Sequence, residues 1–252
     1  MKLAMAFGLL ALAAAAPTPE PARERNNLLS SADLHLEHDD VIMYGVNGEY
    51  KIIKEAEFNS LTTAGILTYG GDDKVEARDL SETIAEIEAR QNCPGLNSEF
   101  TTTSTADFLD WDVQISPVVG AQQAPVTLTV SRGYSIANTI QIGGNIGLSY
   151  KYISGQIGVD VSRTWTTTDT TLIAYTVPQG NYGVIISQPW THRIYGDIYT
   201  SCTTDNWKKT SFMASSHKSA SYGNLNWVTG VFRMCANKKY PIPFCNGKGS
   251  HH

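Results

Sequence analysis

Charge is scarce in this sequence. Asp, Glu, Lys and Arg fill only 17% of its 252 positions, and the formal net charge is −5. No broad basic field is available, so a nucleic-acid partner is not expected. After the N-terminal segment there is no run of 18 apolar residues, the length a membrane-spanning helix needs. No Asn-x-Ser/Thr sequon occurs, so N-glycosylation is not expected either. Three common catalytic signatures are missing: G-x-S-x-G, G-x-x-x-x-G-K-[ST] and H-E-x-x-H. The chain therefore reads as non-enzymatic, with no catalytic residue, cofactor or metal motif to name. What it does have is apolar and aromatic side chains, at 42% and 10%. That is enough for a sizeable core and excludes wholesale disorder.

The first residues carry an address. Met1-Lys2-Leu3 is a short positive start, and Ala4 to Ala16 is an uncharged apolar run ending in small residues. It is too short to span a bilayer and the right size for a secretory signal. Residues 1–16 are read as a signal peptide, and the protein as secreted and extracellular. Residues 17–38, rich in Pro, Asn, Ser and charge, read as a flexible pro-like segment. Cysteine usage agrees: Cys93, Cys202, Cys235 and Cys245 form an even set, which predicts two disulfides in an oxidising compartment. Their wide spacing argues against a zinc cluster. Three connectivities are open, and the expected one is Cys202–Cys235 with Cys93–Cys245. Cys93 closes a helix at a domain boundary, and Cys245 sits in a Pro-rich tail that needs an anchor.

Charge and composition shift near residue 100. Residues 1–100 hold 8 Lys and Arg against 17 Asp and Glu, while residues 101–252 hold 11 against 7. The second part also contains 20 Thr and 15 Ser. The expectation is an acidic hairpin-plus-helix subdomain at 39–95 and a Ser/Thr-rich antiparallel β domain at 104–246. Val41 to Tyr44 and Tyr50 to Lys54 flank Asn47-Gly48, a pair suited to a tight hairpin turn. Helices are predicted from Glu55 to Leu61 and from about Leu80 to Gln91, the second capped by Asp79 with Glu82 three residues on. Further along, strand-like runs at 126–130, 140–152, 157–165, 172–177, 184–187 and 227–232 alternate with turn residues. The fold class is α+β, mainly β, with an antiparallel β-sandwich-like C-terminal domain.

The longest alternation lies at 140–165. Ile140, Ile142, Ile146, Leu148, Tyr150 and Tyr152 share one parity; Ile157, Val159, Val161 and Trp165 resume it after Ser154-Gly155. This predicts a half-buried hairpin fixed in the sheet, with Ile142, Leu148, Val159 and Val161 in the core. The same pattern suits a hairpin that enters a membrane, although Arg163 falls on its apolar parity. Thr164 to Thr171 and the Tyr175-Thr176-Val177-Pro178 step resemble strands of aerolysin-type pore-forming toxins. That resemblance covers about sixty residues and implies membrane activity.

His35, Glu37, His38, Asp39 and Asp40 are ligand types for a metal but stand beside the flexible pro-like segment, where ligands are not held. Asp107, Asp110 and Asp112 alternate with Phe108 and Trp111, which predicts a strand start with its carboxylates outward. His192 and His217 have no identifiable nucleophile beside them. Trp207, Lys208, Lys209, Lys238, Lys239 and Tyr240 are the candidate binding patch, basic and aromatic, suited to a glycan, an acidic lipid or an acidic protein.

A wider resemblance runs through Asp40 to Gly45, Ile52 to Phe58, Phe108 to Val113, Gly133 to Asn138, Thr164 to Thr170, Tyr175 to Gly183 and Tyr240 to Cys245. Together these segments are similar to those of secreted effector-like proteins of ascomycete fungi. The resemblance implies a secreted, non-enzymatic protein that binds an extracellular or host molecule: protein, glycan or membrane. It transfers no catalytic residue. A hydrolase with an unrecognised site is the third class of function considered.

Overall fold

The computed structural model describes residues 34–45, 50–70, 96–144, 146–203 and 206–252. The predicted signal, the 80–91 helix, Cys93 and the Asn47-Gly48 turn lie outside them. The elements run β1 (Leu34–Leu36), β2 (Asp40–Tyr44), β3 (Tyr50–Lys54), α1 (Glu55–Thr63), β4 (Asn97–Leu109), β5 (Val113–Gln114), β6 (Val119–Gly120), β7 (Val126–Val130), β8 (Ser135–Ala137) and β9 (Thr139–Ile142). They continue with α2 (Tyr150–Ile157), β10 (Thr164–Thr166), β11 (Thr170–Val177), β12 (Tyr182–Ser201), β13 (Lys208–His217), β14 (Ser219–Tyr222), β15 (Leu225–Val228), β16 (Gly230–Asn237), β17 (Ile242–Pro243) and β18 (Ser250–His251). The fold is α+β and mainly β, as the alternation predicts.

One strand organises it. β12 is 20 residues long, rich in Ile, Val and Tyr, which fit a pleated surface. Along one side lie β4, β5 and β6 in succession. Along the other lie β13, over Thr191–Thr200, and then β16, over Tyr182–Pro189. The partner changes at Pro189, whose nitrogen has no hydrogen to give a ladder. Gly196 has no room for a side chain: a Cβ there would stand 2.5 Å from the Phe212 ring and 2.4 Å from Thr101 O. Only glycine fits.

The β16 end is a sandwich. A three-stranded sheet, β1-β11-β7, packs on it through Leu128, Ile173, Tyr175 and Val177 against Ile42, Ile185, Phe232 and Met234, with Trp227 and Tyr222 of the β14–β15 hairpin between. Its other face is covered by α1, where Phe58 meets Val41, Ile53, Leu109 and Val231. The β2–β3 hairpin, expected in a subdomain of its own, joins this sheet through β2 and β16. Leu34–Leu36, expected to be flexible, is a strand running parallel to β11.

Two further expectations fail. Residues 140–165 do not form a hairpin in the sheet. β9 ends at Ile142, and a loop leads into α2 before β10 begins. Local signals override the period-two pattern: Ser149 Oγ accepts the Tyr152 N–H at 3.3 Å, and Gly158 closes the helix at φ +78°. The disulfide pairing also differs. Cys235 bonds Cys245, with their Cα atoms 6.0 Å apart, because the tail folds back beside the end of β16. Cys202 is disulfide-bonded as well.

Candidate functional site

The β13 end of the long strand carries the arrangement that bears on function. Here the sheet is β4-β12-β13-β9. Ile194 and Ile198 of β12, Phe212 and Ala214 of β13, Ile140 and Ile142 of β9 and Phe100 of β4 share one face. The segment between β9 and β10 lies over it. Ile146, Ile153 and Val159 are buried there, and Leu148, Ile157 and Val161 are partly buried. Ile142, Leu148, Val159 and Val161 thus join a core, but from loops and a helix rather than from paired strands. Burying each such side chain contributes about 1.5–3 kcal/mol.

Polar contacts pin this cover at its margins. Tyr152 OH lies 3.2 Å from Ser98 Oγ, and Tyr150 OH donates to Ile140 O at 3.3 Å. At the base, Asn138 donates its N–H to Arg163 O and its Nδ2 to Asp160 O. The Asn138 side-chain Oδ1 accepts the His217 backbone N–H at 2.9 Å. Arg163 lies over the Trp165 ring, and both side chains donate to Ser219 Oγ. The Trp165 ring is edge-on to His217. Burial pushes the His217 imidazole below its ordinary pKa, against the pull of Asp110 and with the push of Arg193.

The base is also a short antiparallel ribbon. β8 and β10 pair Ala137 with Thr164, Ile136 with Trp165 and Ser135 with Thr166. Asn138 N–H to Arg163 O, at 3.1 Å, extends that ladder by one step.

The candidate patch does not assemble. Lys208 and Lys209 pair with Thr200 and Tyr199 at one end of β12, whereas Lys238, Lys239 and Tyr240 follow the residue that pairs with Tyr182 at its other end. At 3.3 Å per residue the strand separates them by up to roughly 60 Å. Lys209 is committed to Asp197 at 2.9 Å, and Tyr240 packs on Tyr182 and His252.

The three aspartates near β5 point different ways. Asp107 is exposed and meets His192 Nδ1 at 3.0 Å. Asp110 pairs with the buried Arg193 at 2.7 Å. Asp112 corrects the expectation of an outward carboxylate: its side chain is fully buried. It accepts the N–H groups of Cys245 at 2.5 Å and Asn246 at 3.1 Å and the Gln188 amide at 2.8 Å, with His251 Nε2 3.3 Å away. Asp112, Cys235 and His251 lie within ligand distance of one another, but the Cys235 sulfur is committed to the disulfide. Asp39 and Asp40, weighed for metal, both pair with Lys54 at 2.8 Å. Thr191 Oγ1, 3.3 Å from His217 Nδ1, belongs to a fully buried residue.

Set against family models, curated proteins and solved structures, the chain matches none of them. Among the described residues, no helix is long and apolar enough to cross a membrane, which says nothing of strands.

Proposed function

We propose that this is a secreted, non-enzymatic protein whose extracellular target is a membrane, and that residues 138–163 enter it as a β-hairpin to form a pore. The observation that carries the reading is the register of the β8–β10 ribbon. Continued past Asn138 and Arg163, the same register sets Ile140 opposite Val161, Ile142 opposite Val159, Ile157 opposite Gly144, Ile146 opposite Gly155 and Leu148 opposite Ile153. Directly opposed residues share a face, so all eight apolar side chains fall together. Thr139, Gln141, Ser149, Tyr152, Ser154, Gln156, Asp160 and Ser162 fall on the other. A slip of one residue would destroy this match. Each arm would hold about a dozen residues, and a tilted transmembrane strand needs about 9–11. Arg163, opposite Asn138, would stand at the base and not in lipid.

For the side chains that move, the exchange is close to neutral. The apolar side chains now covering the sheet would move from a protein core to hydrocarbon, which is as apolar as the site they leave. The helix now in the middle of the segment is two turns long, too short to be stable without its packing.

A restraint tests the reading. Gln141 and Met213 are directly opposed on β9 and β13, a geometry within reach of a disulfide. The Gln141→Cys/Met213→Cys protein, oxidised, should leave dye-loaded vesicles intact and should release their contents after mild reduction. The native Cys235–Cys245 bond, with Cys235 only 1% exposed, would survive that treatment. Equal release from the locked and parent proteins, or no release by the parent, would sink the proposal.

A further inference from the structure

Beside the end of β16 the folded-back tail brings three unlike ligand atoms together. The Cys235 sulfur lies 3.8 Å from Asp112 Oδ2, and His251 Nε2 lies 3.3 Å from the same oxygen. All three residues are buried, and the three atoms fall within 4.8 Å of one another. A tetrahedral zinc ion holds sulfur at about 2.3 Å and nitrogen or oxygen at about 2.0–2.2 Å, which sets such ligands about 3.4–3.6 Å apart. The two spacings from Asp112 Oδ2 differ from that by a fraction of an ångström. Asp112 is already oriented: its Oδ1 accepts the Gln188 amide at 2.8 Å and the Asn246 N–H at 3.1 Å. Oδ2 accepts the Cys245 N–H and keeps a second lone pair. The fold thus gathers what the wide cysteine spacing keeps apart in sequence.

In the oxidised protein the Cys235 sulfur is bonded to Cys245 and offers no thiolate, the form that binds metal. We propose that opening this bond turns the cluster into a zinc site, with Cys235 Sγ, His251 Nε2 and Asp112 Oδ2 as ligands and a fourth position left to solvent. Opening takes two electrons. A thiol reductant in excess, beyond the mild treatment above, is oxidised to its own disulfide, and Cys235 and Cys245 each gain a proton. Cys235 gives its proton to solvent as it binds the ion. One thiolate and one carboxylate then balance the two charges of zinc, so the buried site carries no net charge. Sulfur and imidazole select zinc over calcium or magnesium, which take oxygen. His251 stands on β18, and β17 and β18 pair over two residues each, a short ribbon that can part to admit the ion once the bond is gone. The tail is then held by a covalent bond in oxidising surroundings and by a metal in reducing ones, whether or not the protein forms pores.

Removing one cysteine at a time tests this without a reductant. Cys245→Ser keeps the buried sulfur as a free thiol, whereas Cys235→Ser breaks the same bond and takes that sulfur away. With cobalt as the probe, Cys245→Ser should take up a single ion per chain and show the thiolate–cobalt absorption of a tetrahedral site, and zinc should displace it. The oxidised parent and Cys235→Ser should show neither. Adding His251→Ala or Asp112→Asn to Cys245→Ser should weaken zinc binding roughly tenfold or more. Zinc should also raise the melting temperature of Cys245→Ser and leave that of Cys235→Ser where it is, a readout that holds even where losing the bond loosens the fold. Equal uptake by the two cysteine variants, uptake without the thiolate absorption, or no uptake by Cys245→Ser would overturn the inference.

Discussion

Asp112 shows how much one residue can hold in place. Its carboxylate gathers donors from Cys245, Asn246 and Gln188, and His251 closes the group. The tail after β16 is thereby tied down twice, by this carboxylate and by the Cys235–Cys245 bond. Asp112→Ala leaves buried donors without a partner and should cost about 3–5 kcal/mol. For a chain of this size the melting temperature, followed by circular dichroism, should fall by roughly 6–20 °C. A shift under about 2 °C would show that the tail holds without it. His217 makes a different prediction. Its folded pKa is depressed by burial, so the stability it lends is complete above its ordinary value of 6.5 and is lost as pH falls towards the lower folded value. The melting temperature should decline from pH 7 to pH 5, and His217→Gln should flatten that slope. Asp39, Asp160 and Asp169, each held low by a hydrogen-bond donor, lose their support only below their ordinary 3.8, outside this window. An equal slope in the variant would assign the acid sensitivity elsewhere.

Among elements, the segment between β9 and β10 has the sharpest consequence. In the hairpin register the polar face carries one charge, Asp160, and the Ser162 hydroxyl and N–H now hold that carboxyl below the usual range. A ring of carboxylates favours cations. Reversal potentials in planar bilayers should therefore report a cation-selective pore, and Asp160→Asn should remove most of that preference. Selectivity that survives the change would place the selecting charge outside the hairpin. Charge should also be tolerated by parity. Gln156→Lys should leave dye release intact, and Val161→Lys, on the lipid side, should abolish it. Much of the element pattern was legible in the residues: 126–130 and 172–177 are strands, and 41–54 is a hairpin leading into a helix. α2 was not. Its cap residues, Ser149 and Gly158, lie inside an alternation that reads as strand throughout, so the capping hydrogen bond and the left-handed glycine that start and end the helix do not stand out from the pattern around them. Asp112 was missed for a related reason. Its partners are 76 to 139 positions away along the chain, and no local pattern marks a buried carboxylate.

At the scale of the whole molecule, the shift in composition near residue 100 is visible in the sequence, but the way its two sides combine is not. The β2–β3 hairpin joins the sheet of the second half through β16. β12 was legible only from 184 to 187, because Ser187, Gln188 and Thr191 break the apolar run that the rest of the strand continues. Its length is what sets Lys208 and Lys238 far apart, which no reading of the lysine pairs alone could show. The change of partners at Pro189 has a consequence of its own. Both ends of the molecule share one uninterrupted strand, so neither can melt without stripping partners from the other. Calorimetry should register a single heat-absorption peak, with equal calorimetric and van't Hoff enthalpies. Two peaks would mean that the strand behaves at Pro189 as a joint between separately folding halves.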